Sequence, residues 1–306
     1  MKVLVAVDKG GESQKALRYA CHLLENFDAK VDAVYVKPDE TDIGNETLYA
    51  PFVGQDEIKA WIEQETEMVA EDVLNSCELC ENGKVPCWPK IITGDPAEEI
   101  LHLARTYHYD MIVLGAQEQS AIKGFILGTV HAKILHHATQ PVLIVRNFRQ
   151  IQRVLIAYRG SACDRDALDF IGMLFQKRKP EITVLHVQES DRGEDDTAAQ
   201  SCLTQAEQKL KEFQHAPLTK KTIGVFTDEI LKEVATGRYD LVVLGAYGHH
   251  RPKYLGLISD EALNIARLTT RPVLVFRNAA SCTDIRIRKN GRRWRSVPDE
   301  MPNSPA

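Results

Sequence analysis

The sequence YDMIVLGA at residues 109–116 decides the fold, because it returns as YDLVVLGA at residues 239–246. Two further pairs follow in the same order: VLVA at 3–6 with VLIA at 154–157, and PVLIVRN at 141–147 with PVLVFRN at 272–278. Matches in the same order indicate that a whole domain is repeated. Similar apolar strands alone do not account for the shared Tyr-Asp, Leu-Gly-Ala and Arg-Asn pairs.

The repeat divides the 306 residues into two domains of ordinary size. We predict domain 1 over residues 1–147 and domain 2 over residues 153–278, joined by a short polar link. Apolar periodicity stops after Asn278 and a series of arginines follows. Residues 279–306 are therefore predicted to be a basic, disordered tail.

Each half alternates short β-branched apolar runs with longer segments of helical periodicity. In the first half the apolar runs cover residues 2–8, 30–37, 87–93, 110–116 and 141–146. Runs this continuous indicate parallel strands that are buried on both faces. We therefore predict an α/β fold of two tandem doubly wound, Rossmann-like domains, each a mainly parallel five-stranded sheet flanked by helices.

The composition limits the partners and the compartment. The net charge of −5 argues against nucleic acid, and no apolar stretch is long enough to span a bilayer. The seven cysteines are an odd number spread over a long chain, which favours reduced thiols over a disulfide framework. These features predict a cytoplasmic protein without a membrane partner.

The candidate site follows from the topology. Ligands of doubly wound sheets bind beyond the carboxyl ends of the strands, where the strand order reverses. This rule brings Asp8, Val36 and Gly115 to one crevice. Gly128 and Thr129 begin a helix, and the free N–H groups of a helix N-terminus favour an anion.

The order and spacing of these pieces resemble the universal stress protein family. That family has Asp at the end of its first strand and, after its fourth strand, a loop of the form Gly-x2-Gly-x9-Gly followed by Ser or Thr. Here Asp8 ends the first apolar run, and Gly115 and Gly128-Thr129 have the spacing of the loop. The resemblance covers residues 1–147 closely and residues 153–278 more weakly.

The resemblance implies that domain 1 binds an adenine nucleotide, either ATP or AMP. It places adenosine against Ala6, Asp8, Val36, Leu114 and Gly115. It places the phosphates on Glu118, Gly128, Thr129 and Val130. It also implies that the two domains pack as a pseudo-dimer through the last strands, 141–146 and 272–277, whose edges would otherwise be open. A homodimer of two chains, and an unidentified protein partner, are left open.

Both halves depart from the family pattern. Glu118 stands at the second glycine of the loop, where a carboxylate repels phosphate unless a cation bridges them. Three readings are left open: a bridging Mg²⁺, a Glu118 that itself occupies the anion position, and a Glu118 that points outward into solvent. Domain 2 has a degenerate second site, with Arg159 in the place of Asp8 and Ile258 in the place of the third glycine. The loop residues that domain 2 retains are Gly245, Gly248 and Ser259.

One cluster of cysteines and one of histidines could suggest a metal site or a redox cofactor, but we predict neither. Cys77, Cys80 and Cys87 have the spacing of a redox pair or of three zinc ligands, but no fourth ligand follows at a suitable distance. We therefore expect partly buried free thiols. The second cluster consists of His131, His136 and His137 on one predicted helix. No two of them have the i, i+4 spacing of a metal-binding pair, so we expect them to be solvated or to cap the helix.

The sequence predicts a stress-response or regulatory protein that senses an adenine nucleotide in domain 1. It predicts binding without turnover, and no catalytic residue is assigned. Two alternatives remain: a scaffold of the same family without a ligand, and a slow ATPase. An ATPase needs a carboxylate for the metal and a positioned base, and only Asp8 and Glu118 are placed for these roles.

Overall fold

The computed structural model describes residues 1–8, 10–37, 55–82, 85–116, 128–189, 193–246 and 258–277. Within the helix 55–82, side chains are described at residues 57 and 59–72 only. The predicted tail, 279–306, lies outside the described residues.

The described part of the first half contains five strands and four helices. The strands are β1 Lys2–Val7, β2 Lys30–Lys37, β3 Cys87–Thr93, β4 Met111–Gly115 and β5 Val142–Val145. The helices are α1 Gly11–Leu24, α2 Gln55–Asn82, α3 Pro96–Thr106 and α4 Thr129–His137. Asp95 starts α3 with a side chain that accepts from the Glu98 amide, and Pro96 follows at the first helical position.

The second half repeats this plan over the described residues. Its strands are β6 Arg153–Ala157, β7 Glu181–Gln188, β8 Leu218–Ile223, β9 Leu241–Gly245 and β10 Val273–Phe276. Its helices are α5 Ala162–Leu174, α6 Asp196–Glu212, α7 Phe226–Thr236 and α8 Asp260–Leu268.

All ten described strands form one sheet in the order β3-β2-β1-β4-β5-β10-β9-β6-β7-β8. Neighbouring strands are parallel within each half, and β5 pairs antiparallel with β10, so that Leu143 lies opposite Leu274. The predicted fold of two doubly wound, mainly parallel domains is confirmed. The predicted pairing of the two last strands is also present in the structure.

The central strands are buried on both faces, as their continuous apolar runs predicted. The prediction is wrong for β3, which lies at one edge of the sheet and is largely exposed, as is β8 at the other edge. Val3 and Val5 pack into one hydrophobic cluster, whereas Leu4 between them packs into the other. All three side chains are fully buried. The helices that cover both faces therefore exclude water from the central strands, which is the usual arrangement of parallel sheets.

The repeated Tyr-Asp pair holds the start of the first strand of each half. The Lys2 amide donates to Asp110 Oδ2 at 2.7 Å, and the Arg153 amide donates to Asp240 Oδ2 at 3.0 Å. The recurrence of this aspartate is thus explained by a backbone group that needs an acceptor at the strand end.

The repeated arginine that follows the last strand of each half reaches into the other half. Arg146 donates to the carbonyl of Ala266 near the end of α8. Arg277 donates to the His136 carbonyl at 3.0 Å, near the end of α4. Each arginine therefore satisfies a terminal carbonyl of the other domain's helix, where a cation also interacts favourably with the helix dipole.

Two cysteines depart from the expectation of reduced thiols. Cys21 on α1 and Cys87 at the start of β3 are disulfide-bonded, so that expectation is wrong for both. Cys163 and Cys202 carry reduced thiols, as expected. Cys21 and Cys87 are both buried in the core. Spacing along the chain does not show which cysteines the packing of α1, α2 and β3 brings together. The side chains of Cys77 and Cys80 lie outside the described residues.

Candidate functional site

The candidate site lies at the carboxyl ends of β2, β1 and β4, which are adjacent in the sheet. In domain 1 the chain reverses its winding direction between β1 and β4, and such a point opens a crevice. Ala6 pairs with Leu114 across these two strands. Leu114 and Val36 are buried, whereas Asp8, just beyond β1, is exposed. The structure therefore brings the predicted adenosine-contacting residues to one edge of the sheet.

Asp8 is held by the turn that leads into α1. Its Oδ1 accepts from the Gly10 amide at 2.8 Å and from the Ser13 hydroxyl. The Asp8 amide in turn donates to Ser13 Oγ at 2.9 Å. These bonds fix the direction of a carboxylate that remains exposed to a ligand.

Gly115 meets a structural requirement that sequence reasoning did not identify. A Cβ at this position would lie 2.7 Å from the carbonyl oxygen of Glu12 and 3.0 Å from the amide nitrogen of Ser13. Both atoms belong to the backbone of α1 and cannot rotate away. The glycine is therefore required for the close approach of α1 to β4, whether or not a ligand is bound.

Among the described residues, no side chain caps the N-terminus of α4. Its N-cap, Gly128, makes no side-chain capping bond, and its first turn contains no acidic residue. Gly128 and Thr129 are exposed, and Val130 is half-buried. Each of the other seven described helices has Asp or Glu in its first turn. The free amides of α4 therefore favour an anion more than those of any other described helix. Glu118 lies outside the described residues.

His131, in the first turn of α4, was expected to be solvated or to cap the helix, but it is half-buried and bonds to a neighbouring strand. Its Nε2 lies 2.7 Å from the carbonyl oxygen of Gly115. Burial lowers the pKa of His131, and the nearby Arg146 cation lowers it further. The Gly115 carbonyl and Asp8 act in the opposite direction but do not cancel the decrease. The sequence signal for this residue was its place just after Gly128-Thr129, and helical periodicity alone does not show it.

The corresponding crevice of domain 2 is occupied by the protein's own side chains. Arg159, at the position of Asp8, is buried and its guanidinium carbon lies 4.1 Å from the ring centre of Phe226. Its Nη1 lies 3.7 Å from Glu261 Oε2. The ion pair connects the end of β6 to the first turn of α8 and is stabilised by the cation–π contact.

The alignment of the second glycine loop needs a correction. Ser259, not Ile258, is the N-cap of α8 and therefore corresponds to Gly128. The reason is that domain 2 has one more residue between the end of the strand and the helix cap: 14 positions from Gly245 to Ser259 against 13 from Gly115 to Gly128. Ile258 is instead a buried core residue. Gly248 lies outside the described residues.

Ser259 also closes the helix end that it caps. Its hydroxyl accepts from the Ala262 amide at 3.2 Å, and its own amide donates to the Ala246 carbonyl at 2.9 Å. Asp260 and Glu261 follow in the first turn of α8. A capped and acidic N-terminus disfavours a phosphate. Among the described residues of the chain, no group of three or more His, Cys, Asp or Glu side chains is arranged to hold a metal ion.

Fold and site together define a class: a tandem doubly wound α/β protein with a strand reversal in each half. The helix that follows the reversal begins at Gly128 without a side-chain cap in domain 1 and at the capping Ser259 in domain 2. The family model described as "Universal stress protein family" matches residues 1–146 and again residues 150–277. The chain belongs to the universal stress protein family.

Individual relatives support the same assignment. Universal stress protein YxiE of Bacillus subtilis is 32% identical over 148 residues, which are 47% of this chain and 98% of that protein. A universal stress protein of Methanocaldococcus jannaschii is 28% identical over 149 residues, 47% of this chain and 81% of that protein. Each therefore matches about one half of the tandem.

Solved structures show the same fold over both halves. The crystal structure of a universal stress protein from Archaeoglobus fulgidus aligns with a TM-score of 0.70 at 20% identity, over 91% of this chain and 98% of that chain. Solved family proteins with TM-scores of 0.34 and 0.33 include one from Arabidopsis thaliana with AMP bound and one in complex with cAMP.

In the described part of this chain, no helix is both long and apolar enough to cross a membrane.

Proposed function

We propose that domain 1 binds an adenine nucleotide and that the protein acts in regulation through this binding. The observations that carry the proposal are the N-terminus of α4, which no described side chain caps, and the exposed carboxylate of Asp8, whose charge acts on His131 of the same helix. Gly128 provides no side-chain cap, and no acid in the first turn competes for the free amides. A nucleotide has an anionic group for the helix end and hydroxyl donors for the carboxylate.

The proposed contacts follow the two walls of the crevice. Asp8 accepts a hydrogen bond from the ribose, and the base lies against Ala6, Val36 and Leu114 at the strand ends. The phosphates lie at the backbone of Gly128, Thr129 and Val130. The role of Glu118, either bridging through Mg²⁺ or occupying the anion position, stays a prediction.

Domain 2 is proposed as the structural partner of domain 1. The Arg159–Glu261 ion pair fills the place that corresponds to Asp8, and Ser259 caps α8. Its sheet continues that of domain 1 through β5 and β10. This arrangement predicts one nucleotide site in each chain.

The change Asp8→Ala tests the proposal, with Ser13→Ala as its matched control. Both changes remove hydrogen bonds of the same turn, but only Asp8→Ala removes the carboxylate. We expect Asp8→Ala to weaken AMP and ATP binding by about 1–3 kcal/mol, the cost of losing a hydrogen bond to a charged group. The Ser13→Ala protein should keep an affinity close to that of the wild type.

Calorimetric titrations with AMP and with ATP, with and without Mg²⁺, provide the measurement. Thermal unfolding of both variants checks that the fold is intact. Equal affinities in wild type and Asp8→Ala would refute the role of Asp8. Steady phosphate release from ATP would instead favour the slow ATPase.

A further inference from the structure

His131 connects the two walls of the domain 1 crevice. It is the third residue of α4, and its Nε2 lies 2.7 Å from the carbonyl oxygen of Gly115 at the end of β4. A carbonyl oxygen only accepts, so Nε2 carries the hydrogen and a neutral His131 has its lone pair on Nδ1. That Nδ1 lies on the side of the helix cap, 3.6 Å from where a Cβ on Gly128 would be.

The fold itself does not require an imidazole here. Counting from the N-caps Gly128 and Ser259, the residue of α8 that corresponds to His131 is Ala262. Ala262 is buried and belongs to the same hydrophobic cluster as its neighbours. A methyl group is therefore sufficient to pack this helix on the sheet, and His131 has a property that packing does not explain.

The groups around His131 keep it neutral in the free protein. Burial is the main cause of its lowered pKa, and Arg146 at the end of β5 adds to the effect. Asp8 beyond β1 and the Gly115 carbonyl of β4 favour the charged form. The first turn of α4 itself contributes no acid. The balance leaves an acceptor, Nδ1, on the side of the helix N-terminus where an anion is expected.

We propose that His131 couples the binding of a phosphomonoester in domain 1 to the uptake of one proton. The inference rests on the proposed nucleotide site. A phosphate at the amides of Gly128 and Thr129 places negative charge beside the imidazole and stabilises its protonated form. The proton comes from solvent and binds to Nδ1, which changes from an acceptor to a donor, while Nε2–H continues to donate to Gly115. The step forms one N–H bond at Nδ1 with a proton released by a solvent acid, and no bond between the protein and the phosphate forms or breaks.

The coupling has a defined sign. Because the bound phosphate raises the affinity of His131 for a proton, the affinity for AMP rises as the pH falls from 8 to 6. Adenosine has no phosphate, so its affinity does not depend on His131. A shift of one pKa unit corresponds to a change of at most tenfold, reached only below both pKa values, so we expect AMP binding to strengthen by roughly two- to tenfold more in the wild type than in a variant without the imidazole.

The test is a calorimetric titration of AMP and of adenosine between pH 6 and pH 8. The proteins are wild type, His131→Gln, His131→Ala and the control His137→Gln, which changes an exposed histidine at the other end of the same helix. The phosphate of AMP also titrates in this range, with a pKa of about 6 for phosphomonoesters, but it does so equally for all four proteins. Titrations in buffers of different ionisation enthalpy count the protons taken up.

The expected result is a steeper pH dependence for AMP, with net proton uptake, in the wild type and His137→Gln than in either His131 variant. A second measurement follows the imidazole of His131 by NMR, where addition of AMP should raise its pKa. If AMP binds and its pH profile is the same in wild type and His131→Gln, the coupling is refuted and the nucleotide site stands. If neither AMP nor adenosine binds at any pH, the proposed function fails, and the coupling fails with it.

Discussion

At the scale of the residue, two glycines of the crevice have opposite roles. Gly115 lies against the α1 backbone, where a Cβ would be 2.7 Å from the Glu12 carbonyl oxygen. Gly128 is exposed, and a Cβ there would meet only His131, at 3.6 Å. The first glycine is needed for folding, whereas the second leaves space at the helix end.

This difference predicts the outcome of two alanine substitutions. Gly115→Ala should lower the free energy of unfolding by about 1–3 kcal/mol, the usual cost of overpacking. Gly128→Ala should change stability by less than about 0.5 kcal/mol, as a surface substitution does. Urea unfolding of both variants checks the prediction. Equal stabilities would show that α1 moves away from β4 at little cost.

At the scale of the element, the C-termini of α4 and α8, the two helices that border the crevices, accept hydrogen bonds from arginines of the opposite domain. Arg277 donates to carbonyls near the end of α4, and Arg146 does the same for α8. Both arginines are buried. The helix that offers its N-terminus to the ligand in domain 1 is thus held at its C-terminus by domain 2.

Arg277→Ala should therefore destabilise the protein by about 1–3 kcal/mol, because it leaves buried carbonyls without their charged donor. Arg105→Ala is the matched control. Arg105 donates to the His137 carbonyl of the same helix at 2.8 Å, but from an exposed position within domain 1. Its loss should cost about 0–1 kcal/mol, the range measured for exposed charged pairs. Chemical denaturation measures the free energy of unfolding of both variants. An equal loss in the two would show that the buried hydrogen bonds of Arg277 contribute no more than the exposed one of Arg105.

The elements that could be predicted from the sequence are those whose burial is uniform. Strand 30–37 is found as predicted, because a strand covered on both faces reads as a continuous apolar run. Strand 87–93 is found at the predicted position but is largely exposed, because it lies at the edge of the sheet. The meeting of Asp8 and Gly115 followed from the strand reversal. Three features could not be predicted: Ser259 as the N-cap of α8, the hydrogen bond from His131 to the Gly115 carbonyl, and the disulfide of Cys21. Each depends on which backbone or side chain lies opposite after packing.

At the scale of the whole molecule, a histidine lies between the two halves. His22, near the end of α1, accepts a hydrogen bond from Arg178 Nη1 at 3.0 Å, and its ring contacts Phe148 of the link edge-on. Burial lowers the pKa of His22, and the cation of Arg178 lowers it further, whereas Glu25 acts in the opposite direction.

This contact predicts a loss of stability in acid. The unfolded chain binds a proton at His22 near the ordinary value of about 6.5, while the folded chain resists it to a lower pH. Stability from this residue is therefore complete above pH ~6.5 and is lost as the pH falls through the folded pKa. His22→Gln should lose less stability than the wild type between pH 7.5 and pH 5. The control is His137→Gln, which changes an exposed histidine. If His22→Gln loses as much stability between pH 7.5 and pH 5 as the wild type does, the prediction is contradicted.

The central claim is that a chain with two similar domains has one nucleotide site, in domain 1. Native mass spectrometry of the intact protein with AMP and with ATP tests it most directly, since it counts the ligands on each chain. We expect one nucleotide per chain in the wild type and markedly lower occupancy after Asp8→Ala. Two nucleotides per chain, or none at concentrations that saturate other nucleotide-binding proteins, would contradict it.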